Sequence, residues 1–312
     1  MTKDIDILCV GEILIDFIGH QEETNLQKTT EFHRFLGGSP TNVAVNMKRL
    51  GLKPRLVSTV GDDGFGHFIQ GQIKDKQLDA SSLRMIDTHP TSVIFVSKTT
   101  ATPDFIAYRQ ADKLISEQQV NDEILKRAKI FHTTCFALSK NPARTTIMNA
   151  AGKAAEMGCE LSIDINYSPR IWPKREKALR HIKTYCSYDP LIKISEDDML
   201  RLFGEKRSHQ AIFDFFHDLG VSLVCLTLGS EGVKLSRKNG SVISFPAFKI
   251  NKVVDATGAG DAFWSGFLFS YLKGYDDEKA LKTGQQVAAF KLQNLGGLPA
   301  HLDILAELLK IK

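Results

Sequence analysis

The sequence predicts an α/β protein whose mainly parallel central sheet is covered by helices on both faces. Short apolar runs recur along the chain with helical patterns between them, which is the order of repeated strand–helix–strand units. Of the 312 residues, 43% are hydrophobic and 24% are charged, so the chain can bury a large core. The composition, with 23 Gly and 10 Pro, excludes the disordered, collagen-like and coiled-coil classes.

The predicted elements follow from the type and period of their residues. Apolar runs are typical of buried strands, which are predicted at 5–11, 56–60, 130–134, 161–165 and 223–228. A helix is predicted at 142–157, where apolar residues such as Ile147 and Ala151 fall on one side. After Asp255 the pattern becomes helical, with helices predicted at 262–272, 277–292 and 302–309.

Two stretches, 13–35 and 92–109, interrupt this order. Their alternating, β-branched and aromatic residues predict strands outside the main sheet, and the second stretch contains a turn-like segment at 100–104. We expect the two stretches to form one small β-sheet that lies over the core as a lid. The expected organisation is a single domain, 1–312, with the lid inserted at 12–36 and 90–111.

Charge and cysteine content exclude several other classes. Forty Lys and Arg against 36 Asp and Glu leave a net charge of +4, which does not demand a nucleic-acid partner. The start of the chain lacks the features of a signal peptide, and no apolar run approaches the roughly 18 residues of a membrane span, so we expect a cytoplasmic protein. Buried free thiols are expected for the five widely spaced cysteines Cys9, Cys135, Cys159, Cys186 and Cys225.

The segment 255–263 has the composition of an anion-binding site. Small residues before an apolar helix allow successive backbone N–H groups to converge on one point, and the helix dipole adds partial positive charge there. Asp261 lies in the first turn, where the dipole favours its ionised form, so it is a candidate base beside a transferring phosphoryl group. The alternative is that Asp261 only caps the helix and that Gly258 and Gly260 only make a turn. The chain contains no Gly-x-x-x-x-Gly-Lys-Ser/Thr loop, Gly-x-Gly-x-x-Gly fingerprint or His-Glu-x-x-His motif.

A second motif occupies 37–51. Ser39 is predicted to cap a helix whose first position is Pro40 and which ends at Gly51, while Gly37 and Gly38 let a ligand approach the backbone. A capped helix after a glycine turn would explain most of this pattern. It would leave the paired glycines and Asn42 without a purpose.

Taken in series, these two segments resemble the N- and C-terminal signatures of the ribokinase-like, or PfkB-type, carbohydrate kinases. Ala256 departs from the second signature, where Thr is commoner. Further segments fall in the family's order at 11–16, 60–66, 164–167 with Trp172, and 228–232. The resemblance spans the chain and implies a ribokinase-like three-layer sandwich with a small β-sheet lid, acting as a kinase that uses ATP and Mg²⁺.

The resemblance also implies roles for individual residues. Asp261 would take the proton from the attacking hydroxyl, and the amides of Gly258, Ala259 and Gly260 would cradle the γ-phosphate. The implied substrate-binding residues are Asp16, Gly37, Gly38, Asn42, Arg109 and Asn166. The implied nucleotide-binding residues are Thr227, Gly229, Gly232 and Gln285. Considered alone, Asp16 would be a strand-end residue on the solvent side, and Asp62 and Asp63 are interpreted as turn residues.

Some positions depart from the family pattern. Ser195 and Asp198 stand where the family has the Asn and Glu of its Mg-associated element, so Asp198 would reach Mg²⁺ through water, unless the acids there are only ordinary N-terminal helix charge. Gln285 stands where many members have an Asn close to the adenine. The resemblance also leaves open a monovalent cation such as K⁺ near the Asp255 loop and a homodimer formed through the lid.

The acceptor is predicted to be a primary hydroxyl of a ketohexose, with fructose as the first choice. Tyr108 and Arg109 resemble a pair that some relatives direct at the substrate, although Arg109 could equally be a solvated strand end. Alternatives are a kinase of 2-keto-3-deoxygluconate or of 5-keto-2-deoxygluconate. Relatives acting on 2-keto-3-deoxygluconate usually have an Arg after Asp-x-Asn-Tyr, where this chain has Ser168, and the next basic residue is Arg170. Further alternatives are a nucleoside kinase, with Phe95, Phe105 and Tyr108 as a platform for the base, and a non-catalytic sugar-binding regulator.

Overall fold

Two β-sheets organise the computed structural model, which describes residues 3–22, 24–98, 104–294 and 296–298. The strands are β1 (Ile5–Val10), β2 (Leu14–Glu22), β3 (Phe32–Gly37), β4 (Pro54–Gly61), β5 (Leu83–Ile86), β6 (Val93–Lys98), β7 (Phe105–Tyr108), β8 (Ala128–Thr134), β9 (Glu160–Asp164), β10 (Leu191–Ser195), β11 (Leu223–Thr227), β12 (Val233–Arg237) and β13 (Val242–Phe245). The helices are α1 (Ser39–Arg49), α2 (Gly64–Asp75), α3 (Asp122–Arg127), α4 (Ala143–Glu156), α5 (Arg175–Cys186), α6 (Glu196–Phe203), α7 (His209–Asp218), α8 (Ala259–Leu272) and α9 (Asp277–Leu292).

The larger sheet has the strand order β13-β12-β11-β10-β9-β8-β1-β4-β5. Pairing is parallel from β5 through to β11, and β12 and β13 continue the sheet as an antiparallel edge. Because parallel strands run in the same direction, the carboxyl ends of β1, β8, β9, β10 and β11 meet at one edge of the sheet. The predicted α/β architecture with a mainly parallel sheet is confirmed.

Helices cover both faces of the larger sheet, which explains why its strands are continuous apolar runs. In β1, Ile7 and Cys9 pack into one hydrophobic cluster with α1, α2, α8 and α9. Leu8 and Val10 point to the opposite face and pack into a second cluster with α3 to α7. All five cysteines are buried free thiols, as predicted.

The smaller sheet has the order β3-β2-β6-β7 and is built from the two stretches that interrupt the strand–helix order. Its centre is the parallel pair β2 and β6, with antiparallel neighbours on each side. Phe17 stacks on Phe95 at 5.0 Å between ring centroids, and Phe32 meets Phe95 edge-on at 5.2 Å. The predicted second sheet is confirmed. Most of the turn expected at 100–104, and all of the helix expected at 302–309, lie outside the described residues.

Two predicted helix starts are wrong, that of α1 by one residue and that of α8 by three. Helix α1 begins at Ser39 and its N-cap is Gly38, so Ser39 is not the capping residue. Helix α8 begins at Ala259 rather than at Ala262, because its small residues adopt helical geometry before the apolar pattern starts. In the described part of the chain, no helix has the length and apolar character needed to cross a membrane.

Candidate active site

Buried charged residues gather where the parallel strands end. This edge of a parallel sheet is the usual ligand site of open α/β folds. The starts of α1 and α8 lie against it. The buried charged residues of this region are Glu12, Asp164, Lys193, Asp198 and Asp261.

Asp261, the third residue of α8, is held by two donors from α1. Its Oδ1 accepts a hydrogen bond from the Ser39 hydroxyl at 2.6 Å, and its Oδ2 accepts one from Asn42 Nδ2 at 2.8 Å. The two signature segments of the sequence therefore meet at one carboxyl group. Ser39, predicted to cap its own helix, instead orients Asp261, and Asn42 does the same.

The pKa of Asp261 is raised to about 6. Burial is the main cause, and the nearby charge of Asp164 adds to it, whereas the donors Ser39 and Asn42 and the charge of Lys193 oppose it. The expected stabilisation of the ionised form by the helix dipole is therefore outweighed. At pH 7 most of the carboxyl is still ionised, and it is a stronger base than an exposed aspartate.

The loop before α8 and the first turn of this helix are shaped by Gly258 and Gly260, respectively. Gly258 has a left-handed backbone with φ +76°, and the Ala259 amide donates to the Ala256 carbonyl at 3.1 Å. A Cβ at Gly260 would lie 2.9 Å from the ammonium nitrogen of Lys193, so a larger residue there would push the loop off this lysine. The predicted amides of Gly258 and Gly260 lie at the helix start, and that of Ala259 is engaged within the loop.

Lys193 is a site residue that the sequence analysis missed. Its ammonium donates to Asp164 Oδ2 at 2.8 Å, and both side chains are buried. Burial alone lowers the pKa of Lys193, but the charges of Asp164 and Asp198 outweigh it and hold the pKa above its ordinary value. A permanent positive charge therefore lies directly beneath Gly260. The available signal was a lone lysine within the apolar run 191–195, because a lysine on a buried strand requires a charged partner.

Glu12, which follows β1, lies within the segment 11–16 that resembles the family pattern, but the sequence analysis gave it no role. Its carboxyl accepts hydrogen bonds from the Ser39 amide at 3.3 Å and the Thr134 hydroxyl at 2.9 Å. Burial raises the pKa of Glu12 to about 8, against the opposing charge of Arg109. Glu12 thus ties the start of α1 to the end of β8.

Close packing within the chain requires glycine at positions 37 and 38. A Cβ at Gly37 would collide with the carboxyl of Asp16 on β2, and a Cβ at Gly38, whose φ is +103°, would collide with the Glu12 carbonyl. Both glycines therefore allow β3 and α1 to pack against acidic residues of the site. They leave the carboxyl of Asp16 room beside the backbone.

Asp16 lines a cavity of about 160 Å³ together with Asn42 and Gly258. No hydrogen bond from another described residue reaches its carboxyl group. Burial raises the pKa of Asp16 to about 7, and the charges of Asp261 and Asp255 contribute to the increase. Basic side chains in the same cavity wall are Arg34, Lys76 and Lys291.

Arg109 is buried, so the expectation of a solvated strand end is wrong. Its Nε donates to Asp112 at 2.8 Å, its Nη1 donates to the Phe136 carbonyl at 2.7 Å, and its Nη2 also pairs with Asp112. Asn166 lies next to it, with its Oδ1 accepting from the Phe136 amide at 3.0 Å. Roles for Arg109 and Asn166 in substrate binding stay predictions.

The predicted nucleotide-binding residues lie around the edge strand β13. Thr227 ends β11, and Gly229 and Gly232 form the turn into β12 with φ +57° and +109°. A Cβ at Gly232 would collide with the Phe245 carbonyl, to which Gln285 of α9 donates at 3.4 Å. The fold thus brings the β11–β12 turn and α9 together at Phe245.

Asp198 serves locally as part of a reciprocal cap. Its amide donates to the Ser195 hydroxyl oxygen at 3.0 Å, and its Oδ2 accepts from the Ser195 amide at 3.2 Å. Burial raises the pKa of Asp198, while the charge of Lys193 opposes the increase. Within the described ranges no cluster of three or more potential metal ligands exists. One buried carboxyl near an anion site fits Mg²⁺, which kinases bind through few carboxylates plus water and phosphate.

Comparison with known proteins identifies relatives along almost the whole chain. A family model described as pfkB family carbohydrate kinase matches residues 4–302. An ATP-dependent 6-phosphofructokinase of Thermoanaerobacterium thermosaccharolyticum is 36% identical, with 97% of this chain and 92% of the relative covered. The structure of Halothermothrix orenii fructokinase has 38% identity and a TM-score of 0.80, covering 92% of this chain and 100% of that one. The sugar kinase PH1459 of Pyrococcus horikoshii in complex with ATP has 28% identity and a TM-score of 0.83, covering 97% and 99%.

Proposed function

This chain belongs to the pfkB family of carbohydrate kinases, and we propose that it transfers the γ-phosphoryl group of ATP to the primary hydroxyl of fructose. The family and the ribokinase-like fold predicted from the sequence are confirmed. The observation that carries the proposal is the position of Asp261: a buried carboxyl with a pKa of about 6, at a helix start and oriented by two donors.

In the proposed mechanism, Asp261 accepts the proton of the attacking hydroxyl. Ser39 and Asn42 fix the orientation of its carboxyl oxygens, so the base is in place before the substrate binds. The start of α8 provides backbone donors and a partial positive charge for the terminal phosphate, and the Lys193 ammonium, paired with Asp164, lies beneath Gly260. Phosphoryl transfer depends mainly on such positioning and charge stabilisation.

The sugar is proposed to bind in the cavity that Asp16 lines. The carboxyl of Asp16 has no partner among the described residues, so its oxygens are available for sugar hydroxyls. Gly37 and Gly38 leave room for that contact. Asn42, Arg109 and Asn166 are proposed as further sugar contacts.

The nucleotide is proposed to lie along the β11–β12 turn and α9. The ATP complex of the relative PH1459 supports ATP as donor. The proposed contacts are Thr227, Gly229, Gly232 and Gln285. Mg²⁺, when bound, neutralises phosphate charge, and Asp198 is proposed to hold it through water.

The smaller sheet is proposed to act as a lid, with segments 12–36 and 90–111 inserted in a single domain of residues 1–312. Closure would exclude water, which would otherwise compete with the sugar for the γ-phosphate. The proposed setting is the cytoplasm, where ATP is available. A homodimer through the lid is supported by exposed apolar side chains on β7, where Ile106 is 47% and Tyr108 is 54% exposed.

Several contacts favour a neutral ketohexose over the alternative sugar acids and nucleosides. All three nitrogens of the Arg109 guanidinium are engaged within the chain, chiefly with Asp112, so this group is not free for a substrate carboxylate. Arg170 donates through Nη1 to the Phe105 carbonyl at 2.8 Å and pairs with Asp104, so its charge already has an acidic partner. A nucleoside base would have to stack on the exposed Tyr108, because Phe95 is packed among other rings of the smaller sheet and Arg170 lies over the ring of Phe105.

A second acceptor, fructose 6-phosphate, is favoured by one specific observation. Arg34 and Lys76 line the same cavity as Asp16 and could bind a second phosphate. One relative is an ATP-dependent 6-phosphofructokinase. We keep fructose as the first proposal because the relatives include fructokinases from several organisms, among them Halothermothrix orenii, Zea mays and Solanum lycopersicum.

An ADP-release assay with a substrate panel tests the proposal. The panel contains fructose, fructose 6-phosphate, ribose, 2-keto-3-deoxygluconate, 5-keto-2-deoxygluconate and adenosine. We expect the highest kcat/KM with fructose, unchanged within about threefold in Arg34→Ala. A higher kcat/KM with fructose 6-phosphate, reduced in Arg34→Ala, would establish the second acceptor, and no ADP release with any compound would contradict the kinase function itself.

A further inference from the structure

Lys291 lies in the last turn of α9 and is buried, with 3% of its surface exposed. Its ammonium lies 2.9 Å from Asp255 Oδ2, 3.1 Å from the Asp255 carbonyl oxygen and 3.2 Å from the Asn294 carbonyl oxygen. A lysine ammonium has three N–H donors, and three oxygens are in reach. All three N–H donors of the Lys291 ammonium can therefore be satisfied by oxygens of the same chain.

Asp255, the principal partner, is fixed from several sides. Its Oδ1 accepts from the Thr257 amide at 2.9 Å, and its Oδ2 also accepts from the Gly296 amide at 3.2 Å. Burial alone raises the pKa of Asp255, but the hydrogen bond and charge of Lys291 and the Thr257 amide outweigh it and hold the pKa below its ordinary value. The carboxylate is thus ionised whenever the enzyme works, and it pairs with the ammonium group of Lys291.

This pair reaches the proposed phosphate-binding loop directly. Asp255 is the first residue of the segment that leads into α8, and a Cβ at Gly258 would lie 3.9 Å from the Lys291 side-chain carbon Cε. The Val254 amide donates to the Leu292 carbonyl at 2.7 Å, which joins the same loop to the end of α9. Lys291 therefore connects the end of α9 to the loop before α8 through one ammonium group.

We propose that Lys291 is a positioning residue that supplies, from within the chain, the cation that orders the phosphate-binding loop, so that the enzyme needs no monovalent metal ion. The family resemblance left open a monovalent cation such as K⁺ near the Asp255 loop. The residues present do not fit one, because Lys291 already occupies the oxygens of Asp255 and Asn294 with the same single charge. The inference rests on the proposed role of residues 258–260 in phosphate binding.

A merely structural ion pair would also make a Lys291 variant less stable, so stability loss alone decides nothing. A positioning role differs from a structural ion pair in one testable property: an added monovalent cation can replace the charge that a Lys291 variant has lost. A positioning role also predicts that kcat and the KM for ATP change, while the KM for the sugar does not.

The first experiment compares wild-type activity in KCl, NaCl and choline chloride at equal ionic strength. We expect kcat to be equal within about twofold in the three salts. Activation of tenfold or more by KCl over choline chloride would overturn the proposal, whatever the behaviour of any variant.

The second experiment uses Lys291→Met, which keeps the length of the side chain and removes its charge. In choline chloride we expect kcat to fall at least tenfold and the KM for ATP to rise, with KCl or NH₄Cl restoring most of the loss. The matched control is Lys153→Met, which breaks an exposed Lys–Asp pair with Asp122 and should behave as wild type in every salt. Full activity of Lys291→Met in choline chloride, or a loss that neither salt restores, would overturn the proposal.

A third measurement needs no catalysis. Without ATP or sugar, KCl should raise the Tm of Lys291→Met relative to choline chloride and leave the Tm of the wild type and of Lys153→Met unchanged. No Tm increase in Lys291→Met would count against the cation replacement. If no sugar is phosphorylated in any salt, the proposed function fails, while this measurement still decides whether Lys291 occupies a cation site.

Discussion

At the scale of single residues, the acids of the site differ because their surroundings differ. Burial raises the pKa of Asp261 to about 6 and that of Glu12 to about 8, whereas Lys291 holds the pKa of Asp255 below its ordinary value. Carboxyl groups of the same fold can therefore differ in protonation state. Asp261 is placed to act as a base, whereas Glu12 can act as a neutral hydrogen-bonding group.

Replacing Asp261 by Asn removes the proposed base and keeps the shape of the side chain. We expect Asp261→Asn to lower kcat at least about 10²-fold, the usual size of general-base loss, with the KM for fructose changed less than about threefold. Steady-state ADP release measures both constants. Asp62→Asn, an exposed aspartate paired with His67, is the control and should keep wild-type turnover. Comparable turnover in Asp261→Asn would refute the assignment.

Replacing Glu12 by Gln tests its raised pKa through protein stability. Folded Glu12 holds its proton up to about pH 8, whereas the unfolded side chain loses it near pH 4.5. Its contribution to stability is complete below pH 4.5 and is lost as the pH rises toward 8. The free energy of unfolding of the wild type should therefore fall more steeply with pH than that of Glu12→Gln, by about 1.4 kcal/mol per pH unit between pH 5 and 8.

Urea unfolding of both proteins at pH 5, 6, 7 and 8 measures this difference. Asp16 and Asp261 titrate in the same range in both proteins, so their contribution cancels in the comparison. Parallel stability curves would show that Glu12 is ionised in the folded protein at neutral pH.

Sequence reasoning found several residues of the site but not their contacts. Asp261 became a candidate base because an acid follows small residues at a helix start, and its catalytic role stays a prediction. Ser39 was assigned to the wrong partner, because a serine before a helix is ordinarily a cap and its alternative acceptor is 222 positions away. Such a contact leaves no local trace in the sequence.

At the scale of elements, the loop before α8 and the strand β10 have to fit together. Gly260 passes directly over the ammonium of Lys193, which leaves no space for a side chain. The geometry of the proposed phosphate-binding segment is thus constrained by a strand that lies far from it in the sequence.

Replacing Gly260 by Ala should displace this loop. We expect Gly260→Ala to lower kcat at least tenfold and to destabilise the protein by about 1 to 3 kcal/mol, the usual range for overpacking. ADP release and urea unfolding provide the two values. The control is Gly71→Ala in α2, where a Cβ meets no atom within 4 Å, and which should be as active as wild type and no less stable. Unchanged activity of Gly260→Ala would contradict the close packing on Lys193.

The element boundaries show where local patterns suffice. The predicted buried strands and the helix at 277–292 were found because apolar runs and helical periods are local properties. The start of α8 was placed too late, since Gly260 disfavours helix in isolation and becomes helical only when packed in the fold.

At the scale of the whole molecule, the smaller sheet presents apolar side chains to solvent. Its strand β7 carries exposed Ile106 and Tyr108, and β7 is an edge strand of that sheet. An exposed apolar edge strand offers unpaired backbone groups and apolar side chains to which another chain can bind.

We expect light scattering with size-exclusion chromatography to give a dimer for the wild type at micromolar concentration. Ile106→Glu places a charge on the proposed interface and should shift the protein to a folded monomer whose Tm is lower by the stabilisation that association had provided. Glu is tolerated there in the monomer because the position is exposed. A monomeric wild type would refute the proposed lid dimer.

The sequence alone determined the α/β class, the second sheet and the two segments that meet at the site. These features depend on hydrophobic period, turn residues and helix starts, which are local properties of neighbouring residues. The tertiary structure alone decided that Ser39 and Asn42 orient Asp261, that Lys193 supports Gly260 and that Lys291 pairs with Asp255. These contacts join residues far apart in the chain, and the charge that each group carries depends on how much water and which partners the folded chain leaves around it.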